Sequence, residues 1–224
     1  MGAALATLPA AGRAQDAASL VQQVRAKLER VNDYEATGIL KTDIPSMKVP
    51  VAEVKVYFRK PDKLKIKNEK GLSLVPKGPV SISLNNLLSG KYQVIDGGAG
   101  QVDGIPVKIV KLLPLDDSGE MVLSTVYIDA ARLLIVKAKT TNRASGTNEL
   151  EMLYGKYASW ALPDKIVFTF NAEEFKLPKG VTFDYDDGSA KKKPAAAGGN
   201  QRGKIEITYS SYTINRGVAD EVFK

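Results

Sequence analysis

The sequence predicts a mainly β protein with a few helices, of the α+β class, built around one large antiparallel sheet. Nine strand-like runs, many with alternating apolar and polar residues, follow one another with turn signals between them. A single stretch near the N-terminus instead has the apolar period of a helix. The length of 224 residues, 44% of them hydrophobic, suits one medium domain with a sizeable core. The strand-like runs are 51–58, 63–67, 91–95, 106–113, 121–128, 133–140, 148–157, 165–171 and 204–213.

The composition excludes several classes of functional site. The chain contains no cysteine and no histidine. It therefore cannot form disulfides, Cys/His zinc sites, Fe–S clusters, thiol nucleophiles or a Ser-His-Asp triad. Acid–base catalysis near neutral pH also loses its usual residue. We expect a binding protein rather than an enzyme, and we expect no cofactor.

The N-terminus has the character of an export signal. Residues 2–14 are small and apolar and end in Gly12-Arg13-Ala14, which resembles a signal-peptide cleavage site. The alternative is a disordered Ala-rich leader. We expect residues 1–14 to be the remnant of a signal peptide and residues 15–224 to form one soluble domain in the periplasm. Export would keep this chain, whose formal net charge is +7, away from cytoplasmic nucleic acid.

One amphipathic helix is predicted for residues 16–31. Asp16 is placed to cap its N-terminus, and Asn32 is placed to end it. Lys27 and Arg30 suit the negative end of the helix dipole. Because its apolar residues lie on one face, the helix must pack that face against another surface. The apolar face consists of Leu20, Val21, Val24, Leu28 and Val31.

The strand pattern is clearest at 51–58 and 63–67, which flank a Lys60-Pro61-Asp62 turn. A twisted sheet of about ten strands either curls or splits into two sheets. A curled sheet has a concave face, which the predicted helix is available to cover. Further turn signals are Asp96-Gly97-Gly98, Asp116–Gly119, Asp129–Arg132 and Ala144–Gly146.

Two segments interrupt the strand pattern. Residues 71–90 contain two prolines and then a short apolar piece, which predicts a loop with one or two helical turns over 81–89. This turn would be a second covering element for the sheet. Residues 184–203 are of low complexity and predict a mobile basic loop between two strands.

Candidate catalytic and metal-binding motifs fail on their spacing. The glycine-rich stretch 97–104 lacks a P-loop ending and a following helix, so a hairpin loop is the better interpretation. The acidic turn at 184–187 has Ala195 where a calcium loop needs its twelfth-position glutamate. Glu173 and Glu174 are adjacent, so on a strand they would point to opposite faces. No catalytic residue and no metal ligand is assigned.

A basic cluster extends over residues 55–70. It sets seven Lys and Arg residues against only Asp62 and Glu69. One interpretation is the solvated face of two strands, where lysine also protects a sheet edge. The other is a dock for an anionic lipid headgroup or an acidic protein surface. The basic residues are Lys55, Arg59, Lys60, Lys63, Lys65, Lys67 and Lys70.

The apolar faces of the strands carry the functional hypothesis. Their ordinary interpretation is a packed core. One amphipathic helix and one short apolar turn, however, offer little material to fill a curled sheet of this width. A residual apolar cavity that takes acyl chains is therefore predicted. We expect its wall or lid to include Leu20, Val24, Leu28, Val54, Val56, Phe58, Leu64, Ile66, Leu84, Leu87, Leu88, Ile166, Phe168 and Phe170.

Several segments resemble the LolA-type periplasmic lipoprotein carriers and their relatives, the outer-membrane lipoprotein-sorting proteins. The similarity is spread over most of residues 16–223, and it departs from those carriers at 71–90, where prolines and leucines replace an aromatic-rich strand. The segments that carry it are DAASLVQQVRAKLERVNDYEATGILKT (16–42), FRKPDKLKIKN (58–68), YGKYASWALPDKIVF (154–168) and GKIEITYSSYTINRGVADEVF (203–223).

The resemblance implies an unclosed, strongly curled antiparallel β-barrel with a helical lid. Its cavity would hold the acyl chains of a lipoprotein or another lipid for transport toward the outer membrane, without covalent chemistry. A membrane-bound donor complex and an outer-membrane receptor would be its partners, and the protein would act as a monomer. An alternative from the same superfamily is an envelope-stress sensory or regulatory binding domain resembling RseB. An enzyme acting on lipid or glycan through carboxylates is a third hypothesis, which no residue spacing supports.

Overall fold

The computed structural model describes residues 10–44, 47–48, 51–68, 87–88, 90–116, 119–143, 146–172 and 202–223. These ranges contain one α-helix, eleven strands and two short 3₁₀ turns. No helix within them has the length and apolar character needed to cross a membrane. Several predictions lie outside the described residues. They concern Leu84, Lys70, Glu173, Glu174, most of the 71–90 loop with its helical turn at 81–89, the acidic turn 184–187 and most of the 184–203 loop.

The helix, α1, spans Ala10–Leu28. It begins six residues before the predicted start, so the prediction that Asp16 caps its N-terminus was wrong: Asp16 is an exposed residue inside the helix. The helix also ends before Asn32, with a turn at residues 29–30, and Arg30 lies in that turn. The predicted apolar face is correct, because Val21, Val24 and Leu28 are buried. Whether residues 1–14 are removed on export stays a prediction.

The strands form one antiparallel sheet that does not close on itself. The strand order is β4-β3-β1-β11-β10-β9-β8-β7-β6-β5, and the two-residue β2 pairs with β1. Strands β4 and β5 stand at its two edges. With α1 covering one face, this confirms the predicted fold class, an unclosed barrel with a helical lid. The strands are β1 Asp33–Ile44, β2 Met47–Lys48, β3 Ala52–Arg59, β4 Lys63–Asn68, β5 Tyr92–Val102, β6 Ile105–Pro114, β7 Met121–Asp129, β8 Leu134–Asn142, β9 Gly146–Leu153, β10 Lys165–Asn171 and β11 Arg202–Ile214.

The register of the strands builds a continuous apolar inner face. Leu40 of β1 lies opposite Ile207 of β11, which lies opposite Ile166 of β10. Ile166 in turn lies opposite Met152 of β9. All four belong to the core cluster that also contains the buried side chains of α1. The helix therefore packs across strands that are far apart in sequence, and this packing supplies the stability that α1 would lack alone.

Strand β1 was absent from the predicted runs, although it lies at the centre of the β3–β1–β11 part of the sheet. Its inner positions include Ala36 and Gly38, which give a weak alternation of apolar and polar residues. Gly38 is required because β1 and β11 approach closely at a bulge: a Cβ there would stand 2.6 Å from the carbonyl oxygen of Thr208. Close packing of the sheet therefore removed the sequence signal for this strand.

The glycine-rich stretch 97–104 contains the turn of a hairpin, as predicted, but most of it is strand rather than loop. Strand β5 continues to Val102, and the turn is confined to Asp103-Gly104, both with positive φ. Residues 97 and 98 form a bulge, in which the Asp96 carboxylate accepts a hydrogen bond from the Gly98 amide at 2.7 Å. A Cβ at Gly97 would come within 2.8 Å of the Ile109 side chain, so the glycine lets β5 and β6 pack.

The strand connections divide the barrel into two ends. At the short-turn end, β3 and β4 are joined by residues 60–62, β5 and β6 by 103–104, and β7 and β8 by 130–133. The connection from β9 to β10 and the α1–β1 turn lie at this end too. At the long-connection end, residues 69–91 join β4 to β5 and residues 172–201 join β10 to β11.

Candidate functional site

Of the predicted lining residues that the structure describes, all but Leu87 and Leu88 lie on the inner face of the sheet or on the helix that covers it. Phe58 belongs to a neighbouring cluster with Val31 and Leu162. Leu20, Leu64 and Leu87 are partly buried and pack against the main core. Leu84 lies outside the described residues. The main core contains Val24, Leu28, Val54, Val56, Ile66, Leu88, Ile166, Phe168 and Phe170.

Most of the predicted lining residues that the structure describes are buried. The buried ones, from Val24 at 1% to Leu28 at 8%, expose almost nothing. A guest molecule could reach these side chains only after a covering element had moved. The helix is that element among the described residues, because Ala17, Val21, Val24 and Leu28 all face the core.

Two phenylalanines of β10 lie on the apolar inner face of the sheet. The rings of Phe168 and Phe170 stack with centroids 5.5 Å apart. The outer end of the Phe170 ring lies against Gly203 of β11, where a Cβ would stand 2.5 Å from the ring atom Cζ. The glycine thus leaves room for an aromatic ring against the strand, which widens the apolar wall there.

Polar side chains occupy the inner face toward the long-connection end. Ser124 and Thr140 lie opposite each other on β7 and β8, and their hydroxyl oxygens are 3.0 Å apart. Asn148 of β9 lies opposite Thr140 and is also buried. The inner face is therefore amphipathic along its length, with its polar groups nearer one end.

An aromatic cluster closes the short-turn end. The ring of Tyr34 stacks on Phe58 at 5.3 Å and meets Tyr212 edge-on at 5.4 Å. Tyr157 and Tyr209 each lie 4.9 Å from Tyr212. Burial raises the pKa of the Tyr34 and Tyr209 hydroxyls, so they stay protonated. This cluster is here termed the aromatic floor. It could not be predicted from the sequence, because its members come from four separate segments without a shared spacing.

The C-terminal end of α1 is fastened to the short-turn end. Lys27 Nζ donates to the Arg132 carbonyl at 2.7 Å, and the Arg30 guanidinium lies 5.1 Å from the Trp160 ring centroid. Asn215, after β11, donates from Nδ2 to the Arg30 carbonyl at 2.9 Å. Its Oδ1 accepts from the Asn32 amide at 2.7 Å. These contacts hold the turn between α1 and β1 in place.

Asn215 provides a test of this fastening. Its φ of 54° suits glycine, so Asn215→Gly removes the side-chain hydrogen bonds without backbone strain. We expect the free energy of unfolding to fall by about 1 kcal/mol, since two hydrogen bonds of an exposed turn are lost. Asn215→Asp keeps the acceptor and should lose less. Denaturant titration measures both, and a glycine variant as stable as the parent would show that the turn does not depend on this side chain.

Comparisons with known proteins show what this fold is similar to. No family model matches the chain, and no curated protein matches it. A domain assigned to outer membrane lipoprotein sorting from Vibrio parahaemolyticus superposes with a TM-score of 0.62 at 12% identity. The match covers 94% of this chain and 97% of that one.

Two further solved structures are similar to this fold. A DUF1329 family protein from Desulfovibrio piger has a TM-score of 0.54 at 12% identity, over 95% of this chain and 97% of that one. A LolA superfamily protein from Nitrosomonas europaea has a TM-score of 0.55 at 10% identity, over 91% and 97%. The resemblance predicted from the sequence is thus confirmed at the level of the fold.

Proposed function

We propose that this protein is a periplasmic carrier that holds the acyl chains of a lipid or lipoprotein inside its curled sheet. One observation carries the proposal: an apolar inner face runs across the strands, and one α-helix covers it among the described residues. The similarity in fold to lipoprotein-sorting domains supports it. No covalent step is needed, and a membrane-bound donor and an outer-membrane receptor are the partners that this role requires.

The free energies allow an acyl chain to displace α1. Exposing Val21, Val24 and Leu28 to water costs about 5 to 9 kcal/mol, at about 1.5 to 3 kcal/mol for each side chain. An acyl chain with about 14 methylenes gains about 11 kcal/mol when they are buried. A guest of this length therefore offsets the opening of the helix, whereas a short chain of about six methylenes does not.

The geometry suggests how the guest lies. The C-terminal end of α1 is fastened at the short-turn end, so a swing of the helix opens the other end of the barrel. The aromatic floor around Tyr212 would then meet the end of the acyl chain. The polar groups of Ser124, Thr140 and Asn148 lie nearer the opening, where they suit the ester or amide of a lipid.

Binding of a fluorescent fatty acid to lipid-extracted protein tests this function. Ile207 of β11 is 1% exposed on the inner face, and Thr208 is exposed on the outer face. We expect Ile207→Trp, which fills the interior, to weaken probe binding by about tenfold or more. Thr208→Trp adds the same ring outside and should leave the affinity unchanged.

Native mass spectrometry of protein from a bacterial host supplies an independent measurement. We expect a co-purified lipid to be released by organic extraction. If neither a lipid nor probe binding is found, the carrier proposal is wrong and the interior is a packed core only.

A further inference from the structure

Strands β3 and β4 carry a row of positive charge on their outer face, here termed the basic face. The register places Lys55 directly opposite Lys67 and Arg59 directly opposite Lys63, with Tyr57 opposite Lys65 between them. Residues 51–68 contain six basic residues against two acidic ones. Like charges directly opposite each other on neighbouring strands destabilise a sheet. The register alone therefore works against the pairing of β3 with β4, and apolar packing does not explain it.

On the outer face of β8 to β11, the charged residues are arranged differently. Lys137 of β8 lies 2.6 Å from Glu149 and 2.7 Å from Glu151 on β9. Lys165 of β10 lies 2.9 Å from Glu206 on β11. In these places each lysine lies within ion-pair distance of a carboxylate on an adjacent strand, and neither lysine lies directly opposite another basic residue. The basic face is thus a local departure from the pattern of charge pairing on the same sheet.

Edge protection explains only part of the basic face. Strand β4 is an edge strand, and lysines on it would discourage pairing with another chain. Lys55 and Arg59, however, lie on β3, which has partners on both sides. The Lys55 side chain remains 57% exposed even with Glu35 at 3.4 Å.

One end of the basic face is held in shape by the end of the chain. The Asp220 carboxylate contacts both Arg59 and Lys63, and the Phe223 ring lies 5.5 Å from the Arg59 guanidinium. The Arg59 side chain also donates to the Val218 carbonyl at 2.9 Å. These contacts fix the turn of the hairpin, where Lys60 Nζ also contacts the Glu29 carbonyl. Farther along the face, Lys67 Nζ lies 5.9 Å from the Tyr57 ring centroid, and the Lys55 side chain stays largely exposed.

We propose that the basic face docks the protein on an anionic lipid bilayer. Five of the six basic residues of the hairpin are lysine, which acts as a flexible point charge, whereas protein interfaces are depleted in lysine and enriched in arginine. A fluid surface of lipid phosphates matches a row of lysines without requiring fixed partner positions. Val51, which is 61% exposed just before β3, adds an apolar contact for the headgroup region. This docking does not depend on the acyl-binding interior.

Vesicle co-sedimentation tests the docking. We compare phosphatidylcholine vesicles with vesicles containing about one-third phosphatidylglycerol, at low salt, where exposed charges are least screened. The parent protein should bind only the anionic vesicles, and added salt should release it. The double variant Lys55→Gln/Lys67→Gln should bind about 25-fold more weakly, since each lysine near such a surface contributes about fivefold.

The matched control removes two lysines elsewhere on the outer face. Lys139→Gln/Lys204→Gln makes the same change in net charge, and both side chains are about half exposed, at 44% and 51%. We expect it to bind nearly as well as the parent. An equal loss in both double variants, or equal sedimentation with neutral vesicles, would overturn the proposal. Absence of vesicle binding would also overturn it and would leave an acidic protein as the partner to seek.

The same variants separate this proposal from the carrier function. Lys55→Gln/Lys67→Gln lies outside the inner face, so it should bind the fluorescent fatty acid as the parent does. The substitution removes a like-charged pair but also the exposed Lys55–Glu35 ion pair, so the two effects offset each other and the temperature of thermal unfolding should change little. A large fall in thermal stability would show that these lysines serve the fold instead.

Discussion

Replacing Phe168 by alanine is expected to lower the free energy of unfolding by about 3–5 kcal/mol, as for other buried phenylalanines. The side chain is 5% exposed and stacks on Phe170 at the centre of β10. Its strand neighbours on the inner face are Leu150 and Ile205. These belong to paired strands that cannot move inward without breaking the register, so the cavity left by the ring will collapse only partly.

Thr169 gives the matched control, because it follows Phe168 on the same strand and points to the outer face. Thr169→Ala should change the stability by less than about 0.5 kcal/mol. Urea titration followed by circular dichroism measures both variants. If Thr169→Ala were the more destabilising of the two, the assignment of inner and outer faces on β10 would be reversed.

An alanine at 168 also bears on lipid binding. The volume it frees lies in the wall, so a fatty acid should bind the variant at least as well as the parent, provided that the fold persists. Stability and affinity would then change in opposite directions. If the interior is only a packed core that holds no lipid, Phe168→Ala would lower the stability and no fatty-acid binding would be measured.

The inner face could be predicted from the sequence because apolar and polar residues alternate with period two in most of the strands. Val54, Val56 and Ile66 could be assigned to one side from their own runs, and all three are buried. The same argument worked for β10. Such a prediction needs only the spacing of residues within one strand. The pairing and register of the strands then bring these residues together on one face of the sheet.

The alternation fails where the backbone itself approaches its neighbour. At Gly38 the strand has no side chain to contribute to the pattern, because β11 occupies the space. At Gly97 a similar contact with Ile109 made a strand resemble a loop. In both places a residue chosen for close packing hid the strand that it allows to form.

The aromatic floor and the fastening of α1 could not be predicted, for a different reason. Tyr34 meets Tyr212, and Asn215 meets Arg30, across about 180 positions of sequence. Such contacts depend on the order of the strands in the sheet. No local pattern specifies that β1 lies beside β11, so the residues that join them carry no signal on their own.

Replacing Val24 by aspartate should separate the helix from the sheet. Val24 is 1% exposed in the middle of the buried face of α1. An unpaired carboxylate there would lower stability by about 3–5 kcal/mol if it stayed buried. The helix can avoid this by swinging outward about its fastened C-terminal end, which places the carboxylate in water and exposes the apolar wall. We therefore expect stronger fluorescence of an apolar dye such as ANS while the strand signal in circular dichroism persists.

Gln22→Asp introduces the same charge two residues earlier, on the exposed side of α1. It should leave dye binding unchanged and stability within about 0.5 kcal/mol of the parent. The comparison distinguishes a lid from a core helix. A lid can leave the sheet with its strands intact, because β1 to β11 keep every hydrogen bond between them. A core helix cannot, and Val24→Asp would then abolish the helix and the strands in one transition without a dye-binding state, which would contradict the proposed opening mechanism.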